Sequence, residues 1–454
     1  MSVDTICALA TAPGGALGII RISGAQALEI LSRIFSKDLS NAQPNTIHYG
    51  HIVEHDAMSQ HHNIIDEALV SVFRAPHSYT GEDSIEISCH GSRYIINKVL
   101  ELLIQQGCRM AEPGEFTKRA YLNGKMDLSQ AEAVADLIAS SNQATHKIAM
   151  SQLRGHFSSQ LAQLREQLLK LTSLLELELD FSDHEDLEFA DRSELKELTK
   201  TINNHITHLA HSFETGKAIK QGIPVAIIGK TNVGKSTLLN RLLHEDRAIV
   251  SDIHGTTRDT IEDTMELQGV TFRFIDTAGI RQTTDEVEQI GIERTYQAIQ
   301  KARIVLWLID KEPSIEEIDK IKQRTENKKL IIVQNKIDKF DNNSYNLSNQ
   351  LTIPISAKFG TGIDTLEQSI YQAADIPTLN DTDVIVTNAR HYDALVRAQQ
   401  SIQRVIDGLE QQLSGDLLSE DLRLALDQLS EITGGQITPN EVLGNIFKNF
   451  CVGK

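Results

Sequence analysis

The chain has 454 residues, with 44 Lys plus Arg against 62 Asp plus Glu, a formal net charge of −18 and 40% hydrophobic residues. This composition is globular rather than disordered or fibrous, the length suggests about three domains, and the acidity excludes a chain that grips nucleic acid through a broad basic surface. Four cysteines (Cys7, Cys89, Cys108, Cys451), none in a CxxC pair, exclude a disulfide framework and a zinc cluster.

Met1 to Ala10 carries Asp4 and no basic run, so no secretory signal is expected. No apolar run nears the ~20 residues of a bilayer span. No membrane association is expected, and a cytoplasmic location follows. Ile19 to Ile22 and Ser84 to Ser88 read as strands, and Ser92 to Gln106 as a helix with Ile95, Ile96, Val99, Leu102 and Leu103 on its apolar side. Pro13-Gly14-Gly15 and Glu112-Pro113-Gly114 are breakers, so this first stretch is a compact α/β unit. From Met126 to Ile219 the period becomes helical. Ala131, Val134, Leu137 and Ile138 mark one stripe, and Leu161, Leu164, Leu168, Leu171, Leu175 and Leu179 a second. No Pro falls between Pro113 and Pro224 to forbid long helices. Glu176 to Glu188 is an acidic run without Lys or Arg, either a solvated loop or helix end or a functional acidic patch. Residues 390–450 return to helical spacing at Leu409, Leu413, Leu417, Leu422 and Leu429. Between the helical stretches, strands and helices alternate. The simplest organisation is an α/β domain inserted into a helical domain, with junctions near Gly222 and Ile376.

The inserted segment carries the strongest motif. The strand Pro224 to Ile228 runs into Gly229-Lys230-Thr231-Asn232-Val233-Gly234-Lys235-Ser236, the GxxxxGKS loop whose backbone amides wrap phosphates and whose following helix offers its N-terminus to the anion. Lys235 is expected at the β- and γ-phosphates and Ser236 on Mg²⁺. Asp276-Thr277-Ala278-Gly279 ends the strand Phe272 to Ile275: Asp276 suits a water-mediated Mg²⁺ contact, and Gly279 an amide near the γ-phosphate. Asn335-Lys336-Ile337-Asp338 follows the strand Leu330 to Gln334, and Ser356-Ala357-Lys358 follows Thr352 to Ile355. The Asp338 carboxylate can accept both N1–H and N2–H of guanine, which adenine does not offer, so it selects GTP over ATP. The Ser356 loop suits a backbone contact to guanine O6. Gly255-Thr256-Thr257-Arg258-Asp259 lies where a switch loop would be. Ile280 stands where a water-orienting Gln would follow Gly279, so some other group must act on the water.

Four segments carry a resemblance over essentially the whole chain. They are Gly255 to Asp259, Asp285-Glu286-Val287-Glu288-Gln289-Ile290-Gly291-Ile292-Glu293-Arg294, Pro113-Gly114-Glu115-Phe116-Thr117-Lys118-Arg119-Ala120, and the terminal Phe450-Cys451-Val452-Gly453-Lys454. Together with the nucleotide motifs they resemble the tRNA modification GTPase family MnmE, also called TrmE. The resemblance implies a multi-domain fold. An N-terminal tetrahydrofolate-binding α/β domain (1–120) also dimerises, a discontinuous all-α helical domain occupies 121–221 and 377–454, and a Ras-like α/β P-loop GTPase domain (222–376) is inserted. It implies a homodimeric, Mg²⁺- and K⁺-dependent GTP hydrolase. With an FAD-containing partner (MnmG, or GidA) in a heterotetramer or larger complex, this enzyme installs a carboxymethylaminomethyl-type group on the wobble uridine of certain tRNAs, using a folate one-carbon unit.

The implied GTP site is Asn232, Val233, Gly234, Lys235, Ser236 and Thr237; Ser251, Asp252, Ile253, His254, Gly255, Thr256 and Thr257; Asp276, Thr277, Ala278 and Gly279; and Asn335, Lys336, Asp338, Ser356, Ala357 and Lys358. Mg²⁺ would be held by Ser236 and Thr257, and K⁺ by Asn232, Ser251, Ile253 and Thr256, with K⁺ standing in for an arginine finger. Glu288 matches the family's catalytic Glu, acting on the water. Arg21, Glu82, Lys125 and Lys454 match the family's site for (6S)-5-formyl-tetrahydrofolate. Cys451 is either a participant in tRNA modification or a small buried hydrophobe. Positive potential for tRNA would come mostly from the partner, assisted by Lys118, Arg119 and Lys125. Two other functions compete with this one. A ribosome-assembly GTPase of the Era or Der type would need a KH domain or a second G domain, yet no second GxxxxGKS occurs and Asn388 to Lys454 reads as helical. A non-enzymatic GTP-dependent dimerisation switch would need only nucleotide-dependent pairing.

Overall fold

The structure, a computed structural model, describes residues 4–55, 62–180, 192–244, 263–275, 296–339, 352–377, 380, 382–435, 440–448, 450 and 453. The chain divides into two compact units, one made of 1–139, 152–205 and 394–454, the other of 140–151 and 206–393.

The first unit opens with a six-stranded sheet: β1 (Ile6–Leu9), β2 (Leu17–Ser23), β3 (Thr46–His55), β4 (His62–Phe73), β5 (Ser84–His90) and β6 (Arg109–Met110). Their spatial order is β3-β4-β5-β2-β1-β6, antiparallel throughout except for β1 with β6. Alternation along β2 sends Ile20 and Ile22 into the core and Arg21 to the opposite face. The core side is covered by α1 (Ala27–Ser32) and α2 (Arg93–Gln105), which bury Leu28, Leu31, Ile96, Val99 and Leu103. The expected strands near 19–22 and 84–88 and the helix near 92–106 are present; β3 and β4 have no counterpart in the sequence reading.

Helices follow. They are α3 (Glu115–Leu122), α4 (Leu128–Ala139), α5 (Gln143–Leu153), α6 (His156–Asp180) and α7 (Arg192–Gln221). Of the expected stripe on α6, Leu161, Leu164, Leu168, Leu171 and Leu175 are buried; the Leu179 side chain lies outside the described residues. On α4, Ala131 is buried but Ile138 is exposed.

The second unit holds a doubly wound sheet. Its elements are β7 (Ile223–Gly229), α8 (Lys235–His244), β8 (Asp263–Leu267), β9 (Val270–Phe274), β10 (Ile304–Ile309), α9 (Ile315–Arg324), β11 (Lys329–Gln334), β12 (Thr352–Pro354) and α10 (Ile363–Ala373). Strand order is β12-β11-β10-β7-β9-β8, parallel except for β8. All six residues of β10 are buried, as a central parallel strand covered on both faces requires. One core lies under α8 and α10, the other under α9. This is the P-loop GTPase architecture expected of the inserted segment.

The chain ends in α11 (Ala389–Glu410), α12 (Gly415–Thr433) and α13 (Asn440–Phe447). The leucine stripe read through 409–429 is broken in two. Gln412 turns left-handed at φ +56° and ends α11, leaving Leu413 and Leu417 exposed. The period restarts on α12 with Leu418, Leu422, Ala425, Leu429 and Ile432, which pack against α6. Among the described residues, no helix is long and apolar enough to cross a membrane.

Candidate functional site

Two polar sites stand out, one in each unit. In the second unit, β7 ends at Gly229 with φ +149°, and a Cβ there would lie 2.5 Å from the Leu308 carbonyl oxygen on β10. Gly234, at φ +105°, leaves no room for a Cβ, which would collide with Asn335 Nδ2. Positive φ at both positions, with a backbone carbonyl against Gly229 and the Asn335 side chain against Gly234, therefore favours glycine at each. Between them Asn232 adopts φ +62°, a left-handed conformation that Asn tolerates. Lys235, Ser236 and Thr237 form the first turn of α8, where unpaired amides and the helix dipole favour an anion. Lys235 Nζ donates to the carbonyls of Gly229 (2.6 Å) and Lys230 (2.8 Å), and burial lowers its pKa.

The loops after β11 and β12 are tied to this phosphate loop. Asn335 Nδ2 donates to the Val233 carbonyl at 2.9 Å, and its Oδ1 accepts from the Ala357 amide at 3.0 Å. Lys336, at φ +65°, donates to the Asn232 carbonyl (2.7 Å) and pairs with Asp310 (2.9 Å). Ser356 Oγ donates to Asp338 Oδ1 at 2.6 Å, the main reason the Asp338 pKa lies below the ordinary carboxylate value. One oxygen of an ionised carboxylate is thus fixed, with the capacity to accept two N–H groups from one edge of a base. Arg241 of α8 donates to the carbonyls of Lys358 (2.8 Å) and Ala357 (3.4 Å). Ser251 to Thr257, Asp276 to Gly279, Ile280 and Glu288 lie outside the described residues.

In the first unit, Arg21 sits opposite Glu86 in the β2–β5 register and donates to its Oε1 from Nη2 (2.7 Å) and Nε (3.0 Å). Nη1 donates to the Gly453 carbonyl at 3.1 Å. The guanidinium also stands 5.6 Å from the ring centre of Tyr79 and 5.7 Å from that of Phe116. Tyr79 in turn bonds Thr117 on α3 at 2.9 Å. Glu82 accepts from Ser23 Oγ (2.8 Å) and Arg119 Nη1 (3.2 Å). Lys125 Nζ donates to the Pro76 carbonyl at 2.9 Å. Lys454 and Cys451 lie outside the described residues, but Gly453 is buried against β1, where a Cβ would collide with the Leu9 carbonyl. Arg119 contradicts the expectation that it assists tRNA binding. Its side chain is 4% exposed and enclosed by Asp4, Glu82 and Glu115, so it offers no charge to solvent.

Residues 5–125 match the family model described as the GTP-binding protein TrmE N-terminus, and 128–451 that of the MnmE helical domain. The chain is 56% identical over 473 residues to the tRNA modification GTPase MnmE of Bacteroides fragilis, covering 100% of both chains. Identity is 51% over 471 residues to that of Flavobacterium johnsoniae, covering 99% of both. It is 50% over 472 residues to that of Porphyromonas gingivalis, covering 99% of this chain and 98% of the relative. The chain belongs to the MnmE family of tRNA modification GTPases.

As a member of MnmE the chain is a GTP-binding enzyme that hydrolyses GTP. Several residues that organise its two sites escaped the sequence reading. Asp310, Arg241, Glu86 and Tyr79 carry no local motif and become visible only through their partners. Phe116 and Thr117 lie in the Pro113–Ala120 segment, which marked the MnmE resemblance without indicating what they do, and Arg119 of the same segment was read as a tRNA-facing charge rather than a buried one.

Proposed function

We propose that this chain is a homodimeric GTPase that hydrolyses GTP with Mg²⁺ and K⁺ beside the phosphates and couples the cycle to modification of tRNA wobble uridines. The Asn335 bridge is the observation that supports the nucleotide reading best, because it joins phosphate loop and base loop into one rigid receptor. Ser236 and Thr257 would hold Mg²⁺; Asn232, Ser251, Ile253 and Thr256 would hold K⁺. The donor chemistry fits hard cations, since the loop carbonyls of Gly229, Lys230 and Asn232 already draw the Lys235 and Lys336 ammonium groups. When bound, the ions supply positive charge against the phosphate oxygens. Lys235 would pair with the β- and γ-phosphates, Asp276 would serve Mg²⁺ through water and Gly279 the γ-phosphate through its amide, and Asp338 with Ser356, Ala357 and Lys358 would read guanine. Glu288 orients the attacking water, a role Ile280 has no polar group to fill.

The first-unit site is read as the folate site. Arg21 and Lys125, with Lys454, would pair with an anionic (6S)-5-formyl-tetrahydrofolate, and Glu82 would accept from its pterin ring. The reading is supported by Arg21, which stands over two aromatic rings and is braced by the Glu86 carboxylate, and by the partly exposed Glu82 held by Ser23. The second copy would pair through the outer hairpin. Tyr49 and Leu69, opposite each other on β3 and β4, are exposed beside Ile47. The FAD-containing partner MnmG, tRNA, a role for Cys451, a cytoplasmic setting and the domain limits 1–120, 121–221, 222–376 and 377–454 complete the reading. An Era- or Der-type assignment has no support in the family models that match.

Multiple-turnover GTP hydrolysis in potassium against sodium tests the first half of this proposal. Faster turnover in potassium, lost in Glu288→Ala with nucleotide binding intact, is expected. Equal rates in both salts, or a wild-type Glu288→Ala, would remove the mechanism. Nucleoside analysis of tRNA from a deletion strain tests the second half, and unaltered wobble uridines would overturn it.

A further inference from the structure

We propose that Arg119 is a positioning residue that aims the Glu82 carboxylate into the first-unit pocket, an inference that rests on reading that pocket as a reduced-folate site. Arg119 lies in a closed ring of alternating charge. Its Nη2 donates to Asp4 Oδ1 (2.9 Å) and Glu115 Oε1 (3.0 Å). Arg109 closes the ring by donating to Asp4 Oδ2 (2.7 Å) and to Glu115 Oε1 (2.6 Å) and Oε2 (3.1 Å). Arg119 Nη1 is further tied to the Asp4 carbonyl at 3.0 Å. The guanidinium therefore has little freedom, and the same Nη1 reaches Glu82 at 3.2 Å.

Glu82 stands outside the ring with two holds, Arg119 and Ser23 Oγ at 2.8 Å. It is the more exposed end of the pair, 19% against 4% for Arg119. Arg119 thus has no surface with which to touch a ligand, whereas Glu82 does. A carboxylate that must accept two N–H groups from a pterin ring needs a fixed plane. A fork donor braced on three sides sets that plane better than a flexible ammonium would. Two ring members, Glu115 and Arg119, are one helical turn apart on α3. The same helix carries Thr117, which orients Tyr79, and Phe116, which lies under Arg21. The Pro113–Ala120 segment thereby has a physical role in the pocket. One side of α3 sets its acidic residue, and another seats its basic one.

The test is binding of 5-formyl-tetrahydrofolate to the full chain by calorimetry, for wild type, Arg119→Lys, Glu82→Gln and the double variant, with circular dichroism and a denaturant melt as the check on folding. Arg119→Lys keeps the charge but loses the fork, and should weaken binding about tenfold, the scale of one charge-assisted hydrogen bond. In the Glu82→Gln background the same change should alter affinity less than about twofold, because its effect passes through Glu82. Asp4→Asn, which loosens the ring while leaving both Arg119 and Glu82 in place, should weaken binding severalfold and likewise lose its effect beside Glu82→Gln. It decides the matter if Arg119→Lys does not fold. Wild-type affinity in Arg119→Lys and Asp4→Asn, or losses that add fully to that of Glu82→Gln, would overturn the positioning role alone. A wild-type chain that binds no reduced folate would remove the pocket reading and this inference with it.

Discussion

Asn335 and Val233 are joined across the nucleotide site: the Asn335 side-chain amide donates to the Val233 carbonyl at 2.9 Å while its oxygen takes the Ala357 amide at 3.0 Å. Both bonds are buried, so the phosphate loop and the base loop share one rigid brace instead of being placed independently. The collision a Cβ at Gly234 would make with the same Asn335 amide shows how tightly the two loops are fitted.

Asn335→Ala should accordingly leave a buried carbonyl and a buried amide unpaired, each costing about 1–3 kcal/mol. GDP affinity should fall at least about tenfold, and GTP affinity with it, whereas far-ultraviolet circular dichroism should stay native. Titration with a fluorescent GDP analogue reads this directly. Affinity within twofold of wild type would show that the brace is dispensable.

Arg241 extends the argument from the phosphate helix to the base loop. Its donations to the Ala357 and Lys358 carbonyls hold that loop from behind, and the bond to Lys358 spans 117 residues. Arg241→Ala should weaken GDP binding a fewfold, with hydrolysis at saturating GTP little changed, because its donations go to the base loop. A fall in kcat at unchanged KM would place Arg241 in the hydrolytic step instead.

The nucleotide unit was legible because its signals are local. Parallel strands covered on both faces read as apolar runs, as in Ile304–Ile309, and the phosphate loop is a contiguous motif between a strand and a helix. The outer hairpin was not, because β3 and β4 bury only one face. Their apolar residues alternate with His, Glu and Tyr, and a register shift between Ile52 and Val53 breaks the alternation. The leucine stripe near 409–429 misled because periodicity is blind to a two-helix break when leucines happen to continue through it. The charge ring was invisible for another reason: Asp4 and Arg119 are 115 residues apart, and only the parallel pairing of β1 with β6 brings the chain start beside α3.

That ring sets an acid limit on stability. Burial alone would raise the Glu115 pKa, but bonds from Arg109, the Glu112 amide and Arg119 outweigh it and hold the carboxyl below its ordinary 4.5. Asp4 is likewise depressed below 3.8, its burial outweighed by Arg109 and Arg119. Depressed carboxylates contribute stability that is fully present above their unfolded pKa values and is lost as pH falls through the folded ones. Glu115→Gln should therefore destabilise the chain by about 3 kcal/mol at pH 7, since it leaves two arginines short of a partner. The gap from wild type should close as pH drops below 4.5. Denaturant melts across pH 7 to 3 give the comparison, and a gap independent of pH would mean that charge pairing at Glu115 is not what stabilises the unit.

Base selection follows from the Asp338–Ser356 bond. With Ser356 Oγ at 2.6 Å holding Asp338 Oδ1 and keeping the acid ionised, the site presents a pure acceptor, which guanine satisfies with two N–H groups. An amide at this position offers one donor and one acceptor, matching xanthine, whose C2 carries an oxygen in place of the amino group. Asp338→Asn should thus lose GTP affinity by about 100-fold or more, the scale at which a polar site rejects a mismatched partner, and gain affinity for xanthosine triphosphate. Because the depressed pKa lies below 3.8, GTP affinity of the wild type should stay flat from pH 8 to 5 as far as this residue is concerned. Competition of the two nucleotides against labelled GDP measures the swap, and an Asp338→Asn chain that still prefers GTP would move base recognition elsewhere. Ser356→Ala separates the two parts of the pair. It leaves the carboxylate free to rotate, so GTP should bind several times more weakly while the preference over xanthosine triphosphate is retained, since position is lost but donor-acceptor identity is not.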